Sequence, residues 1–190
     1  MKKLLLAVLC IAMAFYFFIP TKITGDVYVL TNGKATIAMP MVEIKAYDYD
    51  DFKQHLADVK HYSAINCSAV PTKNEIDKLA IKVLKQGPSY REEYKKAKQS
   101  FDQCSLNILL FDKLNLSALA RTTTDKNGHF SMSLNRNNVV LIAQSERKVL
   151  RNTEYYTWIK VVKMGVGFSE KADLDNSTDK SDTLLHNINI

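Results

Sequence analysis

The spacing of hydrophobic and polar residues changes rhythm repeatedly along this chain. It opens with an unbroken apolar run over residues 4–19, LLLAVLCIAMAFYFFI, preceded by Lys2 and Lys3 and closed by Pro20. As a helix the run reaches about 24 Å, short of the roughly 30 Å hydrocarbon core of a bilayer. Lysine snorkelling extends that reach, and the aromatic cluster at 15–18 suits the far interface. Residues 1–20 are therefore expected to be a signal-anchor or a signal peptide, with the anchor the better fit. Cleavage would use Ala12-Met13-Ala14, but the chain stays apolar beyond that site. A lipoprotein reading would use Cys10, but Leu9 stands where a small residue is needed.

After Pro20 the period shortens. Residues 23–30, ITGDVYVL, are rich in β-branched and aromatic side chains and predict a strand. Asn32-Gly33 predicts a turn, because both residues reach positive φ at little cost. Over 41–47, Val42, Ile44 and Ala46 alternate with Glu43 and Lys45, the pattern of a half-buried strand.

From Asp48 to about residue 109 the spacing becomes helical. Asp48 or Asp50 caps a first helix with a stripe of Phe52, Leu56, Val59 and Tyr62. Thr72-Lys73-Asn74-Glu75 is a capping box that opens a second, with Ile76, Leu79, Ala80, Val83 and Leu84 on one side and Gly87-Pro88 as its stop. Ser89-Tyr90-Arg91-Glu92 has the form of another capping box. It predicts a third helix carrying Tyr90, Tyr94, Ala97, Phe101 and Cys104.

Strand character returns over 117–124. A turn is expected at 124–129 around Gly128, then a strand over 130–134 with Phe130, Met132 and Leu134 inward. Residues 139–143, VVLIA, predict a central strand, and 154–162, EYYTWIKVV, another. Residues 165–183 read as a polar loop, and 184–190, LLHNINI, as a last strand. Six or seven short strands with one helical insertion between the second and third predict a mainly β architecture, a β-sandwich over 21–190 with the insertion at about 50–110.

Charge changes this picture little. The 190 residues carry 26 Lys and Arg against 20 Asp and Glu, a net charge of +6, two units of which are Lys2 and Lys3. Basic residues gather at 85–98, where a solvated helix face explains them better than a nucleic-acid surface. An exported domain would not meet nucleic acid, and no such partner is expected. Export does permit a disulfide between Cys67 and Cys104, though two buried thiols that never meet fit the sequence equally well.

The strand motifs are family-like. The opening Ile23-Thr24-Gly25-Asp26-Val27-Tyr28-Val29, the Val42-Glu43-Ile44-Lys45 strand, the Thr124-Asp125-x-x-Gly128-x-Phe130 hairpin and the VVLIA strand resemble the carboxypeptidase regulatory-like domains. That resemblance implies a transthyretin-like Greek-key β-sandwich and a non-catalytic accessory or binding module. It covers the strands and none of residues 50–110. A transthyretin-related hydrolase would end in Tyr-Arg-Gly-Ser, whereas this chain ends Asn187-Ile188-Asn189-Ile190.

Candidate chemistry is sparse. His55, His61, His129 and His186 lack metal-ligand spacing, and no Gly-x-Ser-x-Gly occurs. Asp173, Asp175 and Asp179, alternating with Ser177 and Ser181, resemble a calcium loop, but Thr178 and Leu184 stand where Gly and a bidentate Glu belong. An ordinary acidic loop fits them better. Tyr90, Tyr94 and Phe101 are candidate partner contacts on the insertion, in competition with simple packing. Sequons at Asn66, Asn115 and Asn176 read as coincidence.

The expectation is therefore a non-catalytic extracytoplasmic module without cofactor, bound to the membrane through residues 4–19, with a protein or envelope component as partner. It would sit in the inner membrane as a single-pass protein facing the periplasm or cell exterior, or be secreted after cleavage. The alternatives are a hydrolase whose site assembles only in the fold and a calcium-stabilised module.

Overall fold

The computed structural model describes residues 20–31, 33–104, 107–111, 114–135, 137–149, 152–165, 169–181, 183 and 185–190. The apolar run with Cys10 lies outside them, as do parts of the polar loop. Among the described residues no helix is long and apolar enough to cross a membrane. The chain divides into a strand unit, residues through Tyr49 together with Ser117–Asp179, and a helical unit, Asp50–Leu116 together with Lys180–Ile190.

The strand unit contains β1 (Thr21–Asp26), β2 (Tyr28–Leu30), β3 (Thr36–Ala38), β4 (Glu43–Asp48), β5 (Ala120–Thr123), β6 (His129–Leu134), β7 (Val139–Val149), β8 (Asn152–Val162) and β9 (Ser169–Lys171). One sheet runs β6-β1-β9, a second β5-β4-β7-β8, and β2 and β3 pair as a separate hairpin. Inward residues of both larger sheets share one core. Ile23, Phe130, Met132 and Leu134 come from the first, and Ile44, Ala46, Leu141, Ala143 and Trp158 from the second. A face of each sheet is buried against the other, which defines a β-sandwich.

The alternation in β6 is realised directly: Phe130, Met132 and Leu134 are buried and the residues between them exposed. In β7 all of Val139–Ala143 is buried, so both faces of that stretch are covered, as its unbroken apolar run requires.

Several elements depart from expectation. The single strand over 23–30 is broken at Val27, which bridges to Leu174 rather than continuing the ladder. β9 falls in the expected polar loop. It pairs in parallel with β1, with Lys171 also 3.9 Å from Asp26, and no apolar pattern marks it. β7 continues six residues past its apolar run, because Gln144–Val149 pair with β8 and need no core. The expected terminal strand is instead a 3₁₀ turn, Leu185–Asn187. Leu185 and Ile188, three apart, are both buried, a spacing that suits a turn and not a pleat.

Three helices follow, α1 (Tyr49–Asn66), α2 (Lys73–Gln86) and α3 (Arg91–Gln103), and from Asp50 on they belong to the helical unit. α1 buries Phe52, Leu56, Val59 and Ser63; Tyr62, off that line by a helical step, is exposed. The Thr72–Glu75 capping box forms in full: Thr72 Oγ1 accepts from Glu75 N, and Glu75 accepts from Thr72 N at 2.7 Å. The Ser89 box does not form. Pro88 starts a 3₁₀ turn, Pro88–Tyr90, that places Ser89 inside the turn and Tyr90 at the cap of α3.

Candidate functional site: a cleft between two hairpins

The β7–β8 hairpin outgrows its sheet. β4 pairs with β7 only over Val139–Ala143, while the β7–β8 ladder continues from Gln144↔Thr157 to Val149↔Asn152. The β2–β3 hairpin likewise belongs to neither large sheet. Between them lies a cleft of about 400 Å³, lined by Val29, Leu30, Thr31 and Gly33 on one side and by Arg147, Val149, Glu154 and Tyr156 on the other, with Asn176 at its margin. That volume falls in the roughly 300–1,000 Å³ range of small-molecule sites.

The polar groups of the ribbon wall are organised as a set. Arg147 and Glu154 are direct cross-strand partners, and Arg147 Nε lies 3.6 Å from Glu154 Oε2. The Tyr156 hydroxyl donates to the same Oε2 at 2.6 Å. Burial, and then that bond to Glu154, pushes the Tyr156 hydroxyl up to about 12, so it remains a donor at neutral pH. The Tyr156 ring stacks on Trp158 with centroids 5.4 Å apart and planes 8° from parallel. Among the described residues, Arg147 Nη1 is buried with no hydrogen-bond partner. A desolvated donor left unpaired costs on the order of 1–3 kcal/mol, more when charged. The opposite wall is held by Asn176, whose side chain accepts from Leu30 N at 2.7 Å and donates to Leu30 O at 3.0 Å.

The three aspartates singled out in the sequence serve the strap that carries Asn176. Asp173 Oδ1 accepts from Asp26 N at 3.1 Å, and its Oδ2 pairs with Lys171 at 3.0 Å. Asp175 accepts from Ser177 N and Oγ and from the Tyr28 hydroxyl. Burial acts to raise the Asp175 carboxyl, but the bonds from Ser177, Tyr28 and Thr178 outweigh it and hold it below its ordinary value. Asp179 Oδ1 accepts from Thr157 N at 2.9 Å. The carboxylates thus point to separate donors, and among the described residues no group of three or more His, Cys, Asp or Glu is arranged to hold a metal. The alternating oxygens tie the strap to β1, β2 and β8.

Cys67 and Cys104 are joined by a disulfide with Cα atoms 5.9 Å apart. On α3 and the turn before it, Tyr90, Tyr94 and Phe101 are half-buried, and Lys82 lies over the Tyr90 ring at 5.6 Å from its centroid. None of these residues lines the ribbon cleft. Sequence reasoning missed Arg147, Glu154, Tyr156 and Asn176 because Arg147 fell between two expected strands, Glu154 and Tyr156 in the start of one, and Asn176 in the polar loop. The available signal was their i, i+2 spacing: Arg147 with Val149, and Glu154 with Tyr156, each share a face of their strand.

No protein-family model matches the chain, and no curated protein matches its sequence. Among solved structures, it is similar to a Pseudomonas aeruginosa protein proposed to bind carbohydrate, at 13% identity over 83% of this chain and 88% of that one, with a TM-score of 0.39. It is also similar to the shaft pilin SpaA of Lactobacillus rhamnosus GG, at 8% identity over 82% of this chain and 48% of the pilin, with a TM-score of 0.33. The major pilin RrgB of Streptococcus pneumoniae matches at 10% identity over 81% of this chain and 30% of the pilin, with a TM-score of 0.24. At these values the likeness says nothing about what this chain binds.

Proposed function

We propose that this chain is a non-catalytic binding module of the carboxypeptidase regulatory-like type, and that its ligand occupies the cleft between the β2–β3 and β7–β8 hairpins. One observation carries the reading: Arg147, Glu154 and Tyr156 are oriented by one another on the wall of the cleft. Preorganised polar groups lining a cleft of this volume are arranged to receive a ligand. In this reading residues 4–19 hold the sandwich beside the membrane, facing away from the cytoplasm, where an envelope component would be its ligand or partner. β1 begins at Thr21, directly after Pro20, so the tether would be short.

A thermal-shift screen of the full chain tests this, using sugars, carboxylates, phosphate and short peptides as probes. A stabilising probe whose effect disappears in Arg147→Ala is the expected result. No stabilisation by any member of the panel would count against the cleft.

A further inference from the structure

We infer that the cleft takes a neutral saccharide, held through neighbouring hydroxyl groups by Arg147 and Glu154 and stacked by its ring on Tyr156. The inference rests on reading the cleft as the binding site, and it names the ligand class. Charge sets the first constraint. The described lining residues include one cation, Arg147, and one anion, Glu154, directly across the ladder from each other. An anionic ligand would gain the guanidinium and face the carboxylate; a cationic ligand would meet the reverse. A neutral ligand meets neither repulsion.

Hydrogen-bond capacity sets the second. Arg147 lines the cleft with its side chain 22% exposed and supplies guanidinium N–H donors there. Tyr156 and Arg147 Nε both converge on Glu154 Oε2, which leaves Oε1 to accept from a ligand. The wall therefore offers one donor and one acceptor side by side. Adjacent hydroxyls on a sugar match that pair, since one accepts from the guanidinium while its neighbour donates to the carboxylate.

Shape sets the third. Trp158 covers one face of the Tyr156 ring and does not line the cleft, whereas Tyr156 does. Leu30 and Val149 add apolar surface around it. A pyranose presents an apolar C–H face to such a platform while its rim carries the hydroxyls. The Asn176 clamp on both backbone groups of Leu30 holds the opposite wall in place, which limits the ordering cost of binding.

The test uses the full chain in a detergent without a sugar headgroup. A glycan array identifies binders, and titration follows the fluorescence of Trp158, the single tryptophan, which the Tyr156 stack couples to the cleft. Acetate, phosphate and Ala-Ala-Ala are titrated in parallel. The expected result is a saccharide that perturbs Trp158 and binds at least tenfold more weakly to Glu154→Gln and to Arg147→Lys, both melting within a few degrees of the parent. Tyr156→Ala should abolish binding. Perturbation of Trp158 by acetate, phosphate or the peptide, with no glycan bound, would overturn the saccharide assignment and leave the cleft as the binding site. Glycan binding that survives all three substitutions would overturn the assignment to the cleft. No response to any probe would overturn the inference and the reading beneath it together.

Discussion

Thr124 is the residue on which the sandwich turns its corner. Its hydroxyl donates to Met39 O at 2.8 Å and accepts from Val42 N at 2.9 Å, while its own N–H donates to Val42 O at 3.0 Å. Thr124→Val keeps the shape but leaves the carbonyl and amide partners buried and unpaired, and should lower unfolding stability by about 1–3 kcal/mol in urea titration. Beside it, Asp125 accepts from the backbone N–H of His129 at 2.9 Å and of Asn127 at 2.8 Å. The bond from His129 leads in holding its pKa below the ordinary 3.8. A folded pKa below the unfolded one gives stability that is present above the unfolded value and is lost as pH falls through the folded one. Asp125→Ala should therefore melt earlier than the parent at pH 7 and match it once the pH is well below the folded value. Glycine matters at two nearby points. Gly128 has φ +81°, and a side chain on Gly25 would place Cβ 2.1 Å from Ala172 O. Gly25→Ala should cost about 3 kcal/mol, the upper end for overpacking, and raise hydrogen exchange at Ala172, whose N–H donates to Thr24 O. Thr124, Asp125 and Gly128 are visible in the sequence as a turn motif, and Gly25 only as part of a strand. The contacts of Thr124 with Met39 and Val42 and of Gly25 with Ala172 are not visible, because they cross long stretches of chain.

At the scale of elements, α2 and α3 stand out for how little they bury. α2 has one fully buried side chain, Ile76, and α3 has none. Their amphipathic stripes predict helices correctly, yet periodicity reports only that one face is apolar and not how completely it is covered. The Cys67–Cys104 bridge compensates by closing a 37-residue loop around both helices. Loop-closure entropy puts its contribution at about 3–4 kcal/mol. Replacing Cys104 with Ser should raise amide exchange throughout α2 and α3 while the core amides of β6 and β7 keep their protection, since local opening free energies follow local burial. Uniform loss of protection in both units would overturn this. The β7–β8 ribbon shows the opposite limitation. Its strands are legible, but their overshoot past the sheet, which builds the cleft wall, depends on where β4 stops.

For the whole molecule, the proposed tether and the strand unit meet at Pro20. If residues 4–19 are retained, the full chain should pellet with membranes, resist extraction by high salt, and give Met1 or Lys2 on N-terminal sequencing. A soluble product beginning at Phe15 would show instead that cleavage at Ala12-Met13-Ala14 releases it.

What the sequence determined by itself is local. Alternation placed Phe130, Met132 and Leu134 inward, the unbroken VVLIA run marked a strand covered on both faces, and Thr72 and Glu75 announced a helix start that forms in full. Each depends on residues within a few positions of one another, where backbone period and capping geometry leave little choice. Tertiary structure alone decided the rest. Gly25 leaves room for the chain at Ala172, just after β9; Asp173, Asp175 and Asp179 are strap acceptors because β1, β2 and β8 present donors to them; and Arg147 shares a cleft with Asn176 and Leu30 only once the β7–β8 ribbon outgrows its sheet beside the β2–β3 hairpin. Backbone pairing and polar convergence carry no hydrophobic period, so they leave no trace in the order of residues until distant segments are brought together.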